Sequence, residues 1–62
     1  MKINISKSLI AWIDNDHKTI RVIKFGFPEL VQQESDKLIK LFSNYPEYKL
    51  LSTNPYIRAC IK

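Results

Sequence analysis

The chain has one glycine (Gly26), one cysteine (Cys60), one histidine (His17) and one tryptophan (Trp12) in 62 residues. Each scarcity excludes something. One glycine leaves no P-loop and no dinucleotide fingerprint, since both need several. One cysteine closes no intramolecular disulfide, and Cys60 with His17 supplies only half of a tetrahedral zinc site. The longest apolar run, Leu9-Ile10-Ala11-Trp12-Ile13, is too short for a membrane span or a secretory core. The first eight residues are polar at nearly every second place, so they do not read as a signal peptide. A lone cysteine without an export signal fits a reducing interior, and the cytoplasm is the expected location.

A chain of 7.3 kDa is expected to expose about 4,200 Å² when folded and to bury roughly 60% of its unfolded surface. That suffices for a single small domain, residues 1–62, near the lower limit for a fold without covalent or metal staples. Hydrophobic residues make up 45% of the chain and charged residues 26%, a globular balance rather than a disordered one. Nine isoleucines bias the chain toward strands, because β-branched side chains fill a half-buried sheet well. Ten Lys and Arg against six Asp and Glu give +4. Eight of the ten cations are scattered lysines, which reads first as a solvated surface and second as a mild preference for anionic partners.

Lys2-Ile3-Asn4-Ile5 alternates as a short strand or a frayed end. Leu9 to Ile13 and Thr19 to Phe25 flank the polar segment Asp14-Asn15-Asp16-His17-Lys18 and predict a β-hairpin, with Asn and Asp suited to left-handed turn positions. A two-residue loop places Leu9, Ala11 and Ile13 on the face of Ile20 and Val22; a three-residue loop places Ile10 and Trp12 there instead. The residues leave both registers open. Either way both faces carry apolar side chains, which predicts cover on two sides or a partner.

After Gly26-Phe27-Pro28 the spacing of Phe27, Leu30 or Val31, Leu38, Leu41 or Phe42, and Tyr45 predicts one helix from 28 to about 44. A loop followed by a helix from Ser35 is the competing reading. The apolar stripe breaks at Glu34, and the pairs Glu34 with Lys37 and Asp36 with Lys40 are expected on the wet side. Pro46 stops the helix, Tyr48-Lys49-Leu50-Leu51 reads as a short strand, and residues 52–55 as a turn. Ile57, Ala59 and Ile61 then alternate with Arg58, Cys60 and Lys62, which predicts a C-terminal strand. The expected fold is α+β: a small antiparallel sheet, β-β-α-β with extra short strands allowed, and one helix packed on one face.

Chemistry-bearing patterns are sparse. Neither Cys60 nor any of Ser6, Ser8, Ser35, Ser43 and Ser52 sits in a recognisable nucleophile elbow with His17 as base, so no catalytic residue is assigned. Asp14, Asp16 and His17 cluster in a turn, but a hard cation needs more converging oxygens, so no metal or other cofactor is expected. Seven aromatics and ten cations coexist, and a sheet bearing Trp12, Arg21, Lys24 and Phe25 could stack bases or meet phosphates. Only Arg21 and Arg58 offer bidentate donors, and the helix carries no run of cations. For protein recognition, Trp12, Arg21, Tyr56 and Arg58 are the expected anchors, since aromatics and arginine dominate interface hot spots. Cys60 is expected to be a half-buried, inert thiol.

Ile10-Ala11-Trp12-Ile13-Asp14-Asn15-Asp16, a strand with Trp next to last before an acidic turn, resembles the opening of small phage-encoded host-takeover proteins of β-β-α-β layout. The second strand, the single helix and a late Cys60 extend the likeness to the Dmd-type antitoxin, which blocks a host ribonuclease toxin, and to the short phage inhibitor of bacterial RNA polymerase. Those proteins are acidic or near neutral, whereas this chain is +4. The resemblance implies a non-enzymatic inhibitor that acts by occlusion, and it carries over no functional residue. The expected function is thus a cytoplasmic binding module with a protein partner and no membrane. A small basic nucleic-acid binder and a structural homodimer are the alternatives.

Overall fold

Alternation of apolar and polar residues builds the sheet. In the computed structural model, which describes residues 1–61, four strands lie in the order β1 (Lys2–Ser6), β2 (Leu9–Asp14), β3 (Thr19–Lys24) and β4 (Lys49–Leu51). Helix α1 (Gln32–Ser43) joins β3 to β4, and a short helix α2 (Pro55–Cys60) follows. The α+β class, with helices packed against one sheet, is as the sequence predicts. The sheet itself is mixed. β1, β2 and β3 are antiparallel, but β4 returns parallel to β3, a pairing that needs a crossover connection such as the one α1 supplies.

β2 and β3 pair Ile13 with Ile20 and Ala11 with Val22, across a four-residue loop. A loop of even length gives the same facing as two residues would, so Leu9, Ala11, Ile13, Ile20 and Val22 share the inner face. These five, with Ile5, Leu38 of α1 and Ile57 of α2, form the buried core. In the turn, Asp14 Oδ1 accepts the backbone N–H groups of Asp16 (3.0 Å) and His17 (3.3 Å). The left-handed position falls on Lys18 (φ 52°) rather than on an Asn or Asp.

The C-terminal strand is a helix. Asn54 accepts the N–H groups of Tyr56 and Ile57, and Pro55 occupies the first turn, where it forfeits no hydrogen bond. Ile57 is fully buried, and Cys60 and Ile61 pack against the core beside it, a spacing of three and four. Period two over 57–61 was a coincidence of the same residues. Lys62 lies outside the described residues. Helix α1 begins at Gln32, later than Pro28 and earlier than Ser35. Gly26 turns the chain at φ +77°, and Phe27 points into solvent, 87% exposed, instead of starting a stripe.

Glu34 explains both the late start and the broken stripe. It sits on the core side of α1, 5% exposed, where its carboxylate accepts from Ser6 Oγ (2.5 Å), Ser8 Oγ (3.3 Å), Val31 N–H (3.1 Å) and Lys24 Nζ (3.1 and 3.2 Å). The bond from Val31 is half of a capping box; Val31 has no side-chain oxygen to complete it. Glu34 is therefore not on the wet side, and Lys37 instead donates to the carbonyl of Ile5 (3.2 Å). A register shift in β1 between Asn4 and Ser6 turns the Ser6 hydroxyl toward this cluster. Burial by itself would raise the Glu34 pKa. The Ser6, Val31 and Lys24 hydrogen bonds and the Lys24 charge prevail and lower it from 4.5 to about 2.

A carboxyl whose pKa falls on folding stabilises the native state above its unfolded pKa and loses that contribution on acidification. Stability should accordingly drop between about pH 4.5 and pH 2, by on the order of 3 kcal/mol from this group. Urea midpoints measured across that range test it. Glu34→Gln leaves Lys24 buried without its counter-ion and should cost about 3–5 kcal/mol. The double variant Lys24→Met/Glu34→Leu should fold and show a flatter acid limb; an unchanged limb would refute the assignment.

Candidate functional site

Both helices lie on the inner face, where Leu38 and Ile57 meet the strands. The other face has no layer over it among the described residues. Pairing aligns Lys2 with Trp12, Trp12 with Arg21, and Arg21 with Leu51, so these four side chains form one row across all four strands. Asn4, Ile10 and Ile23 form the next row. Neighbouring Cα partners in a sheet direct their side chains to the same side, so both rows face outward. The folded chain accordingly exposes 4617 Å², more than the about 4,200 Å² expected for its mass.

Trp12 is 45% exposed and Leu51 41%, large apolar side chains held open to water by strand geometry rather than by flexibility. The Lys2 ammonium lies 5.6 Å from the centre of the Trp12 ring, within range of a cation–π contact. The Arg21 side chain, exposed between Trp12 and Leu51, makes no hydrogen bond or ion pair with any described residue. Two shallow hollows meet at Arg21, Ile23 and Leu51. One, of about 680 Å³, extends to Trp12 and Asp14; the other, of about 560 Å³, extends along Val22 to Lys24 and under residues 52–54.

Of the four anchors expected from sequence, the fold brings Trp12 and Arg21 side by side. Tyr56 and Arg58 belong to α2, in the layer on the opposite face, where both are exposed and line neither hollow. Leu51 and Ile23 were missed as anchors. Their signal was the alternation of β3 and β4, which became readable only once the hairpin parity was fixed.

The reactive side chains are engaged locally. His17 Nδ1 lies 2.7 Å from Asp14 Oδ2, both exposed, and this hydrogen bond is the main cause that lowers the Asp14 pKa below 3.8. Cys60, half-buried, is directed at the carbonyl of Ser35 (3.6 Å), from a helix rather than a strand. Ser8 accepts from Lys24 (2.6 Å), whose ammonium is bound to Glu34 and so has no lone pair to act as a base. Among the described residues no three His, Cys, Asp or Glu side chains converge, and no helix is long and apolar enough to cross a membrane. Comparison with protein-family models, curated proteins and solved structures finds no match to this chain.

If the open face is surface and not core, polar replacements there should be tolerated. Trp12→Ser and Leu51→Ser are expected to shift unfolding by about 1 kcal/mol or less, whereas Ile13→Ala on the inner face should cost about 2–4 kcal/mol. Urea titrations of the three variants compare them directly.

Proposed function

We propose that the protein is a non-enzymatic binding module that regulates or inhibits a macromolecular partner by occlusion, with the open sheet face as its docking surface. One observation carries this reading: Trp12, Arg21 and Leu51 stand in register on a face that no described residue covers. A half-exposed Trp beside an unpaired Arg is the composition from which interface hot spots are made, because both deliver large contact area with directional bonding. A face fixed by the sheet loses little entropy on docking. Occlusion requires only such a surface. It fits a cytoplasmic antitoxin-like or host-enzyme inhibitor of the phage or mobile-element kind, with a protein as the partner.

A second reading has its own support. Lys2 and Arg21 flank the Trp12 ring on an open sheet, an arrangement that can stack a base between phosphate contacts. Such binding weakens steeply as salt displaces the protein from phosphates.

Immobilised protein and a Trp12→Ala/Arg21→Ala variant, exposed to bacterial lysate at low and physiological salt, separate the possibilities. The wild type should retain a stoichiometric protein that the double variant loses, while Tyr56→Ala/Arg58→Ala retains it. Equal retention by wild type and the Trp12/Arg21 variant, or none by the wild type, would overturn the docking role of this face. Loss of the retained material on nuclease treatment would favour the nucleic-acid reading.

A further inference from the structure

We infer that the open face takes an extended, acidic segment of a partner polypeptide, added as a strand beside the free half of β3. This rests on the reading of that face as a docking surface and names what docks there. β4 pairs with β3 only over Thr19, Ile20 and Arg21 and then turns away. The last three residues of β3, Val22 to Lys24, have no strand on that side, and residues 52–54 make no backbone bond to them. Asn54 instead donates to the carbonyl of Pro28 (3.0 Å), which holds the loop off β3 and keeps the 560 Å³ hollow open between them. Unpaired strand backbone is a template for one more strand, since main-chain donors and acceptors need partners.

The opposite edge is guarded differently. β1 carries Lys2 and a register shift next to Ser6, both of which discourage strand addition. The short length of β4 limits the slot beside β3 to a few residues, which suits a segment of a partner better than a second sheet.

Charge selects the segment. Arg21 lies where the two hollows meet and has no anionic partner among the described residues. A carboxylate can bond both guanidinium nitrogens in plane, the strongest contact this side chain makes. Alternation in an added strand directs every second side chain to the open face, over Ile23, Leu51 and Arg21. The occupant is therefore an extended peptide that carries acidic and apolar residues, and its docking extends the sheet while it covers Leu51.

The probe is a capped octapeptide, Thr-Glu-Thr-Val-Thr-Glu-Thr-Val, which presents Glu and Val together on one face of an extended strand, titrated into isotopically labelled protein and followed by amide chemical shifts. Its controls are the Lys-for-Glu peptide, a backbone N-methylated Glu–Val peptide and a ten-residue oligothymidine. Saturable shifts at Val22 to Lys24 and Leu51 are expected, with affinity about tenfold weaker for Arg21→Ala and for either peptide control. Arg21→Lys should recover part of it, because the charge remains and the fork does not. Preference for the Lys peptide or the oligothymidine overturns the inference, as do shifts that omit Val22 to Lys24. So does self-association through this face in a dilution series. If the Glu–Val peptide fails while the lysate partner is still captured through Trp12, the strand-addition inference falls and the docking surface stands; if both fail, both fall.

Discussion

The buried Glu34 carboxylate is the junction at which the separate parts of this small fold are fastened. It receives β1 through Ser6, the β1–β2 turn through Ser8, the end of β3 through Lys24 and the start of α1 through Val31. A charge this deep is costly to desolvate, and it is tolerated because five donations converge on it. No buried side-chain nitrogen or oxygen among the described residues is left without a partner. An apolar residue at position 34 could fill the same space, but it would not specify which turn lies against which helix end. Directional bonds do, and the tight turn after β1 with its register shift is the local geometry they select.

From that junction the two-layer arrangement follows. Lys24 is held at the inner edge of β3, so α1 starts beneath the sheet and its Leu38 fills the middle of the core. α2, six residues long, only closes the same inner face through Ile57. The outer face is left with Trp12, Ile23 and Leu51 because strand pairing, not cover, fixes them. At the far end, the β2–β3 turn is braced from the other connection: Tyr48 donates to Asn15 (2.6 Å), packs edge-on against Tyr45 at 4.9 Å, and Lys49 N–H bonds the carbonyl of Lys18. β4 is thereby anchored at one end and free to diverge at the other.

Much of this was legible in the residues. The hairpin, the short strand at 49–51 and the α+β class followed from alternation and turn chemistry. The C-terminal element differs from its expected strand because Ile57 to Ile61 satisfies period two and helical spacing at once, and Asn54-Pro55, which reads in sequence as a turn, caps a helix in the fold. The break at Glu34 was also visible. The residues nevertheless put Glu34 on the wet side with Lys37, because its true partner Lys24 falls on the inner face of β3 only in one of the two registers that the sequence leaves open. What could not be read was long-range: that β4 would enter parallel, that even loop parity would turn Trp12 outward, and that Tyr56 would end on the opposite layer from Arg21.

These placements also bear on what kind of work the molecule is suited to. Reaction chemistry needs groups with unengaged lone pairs or protons, set in a cleft that excludes water. Here His17 is tied to Asp14 on an open turn, Cys60 faces a backbone carbonyl, and Ser6 and Ser8 serve Glu34. Arg21 is different. It has full donor capacity, a rigid strand beneath it and apolar neighbours on both sides. A guanidinium in that setting is well placed to recognise an anionic group on something that docks, because adjacent Trp12 and Leu51 would exclude water from the contact and strengthen it. The proposed docking would use what this fold leaves open, and it makes no demand on the groups the fold has already engaged.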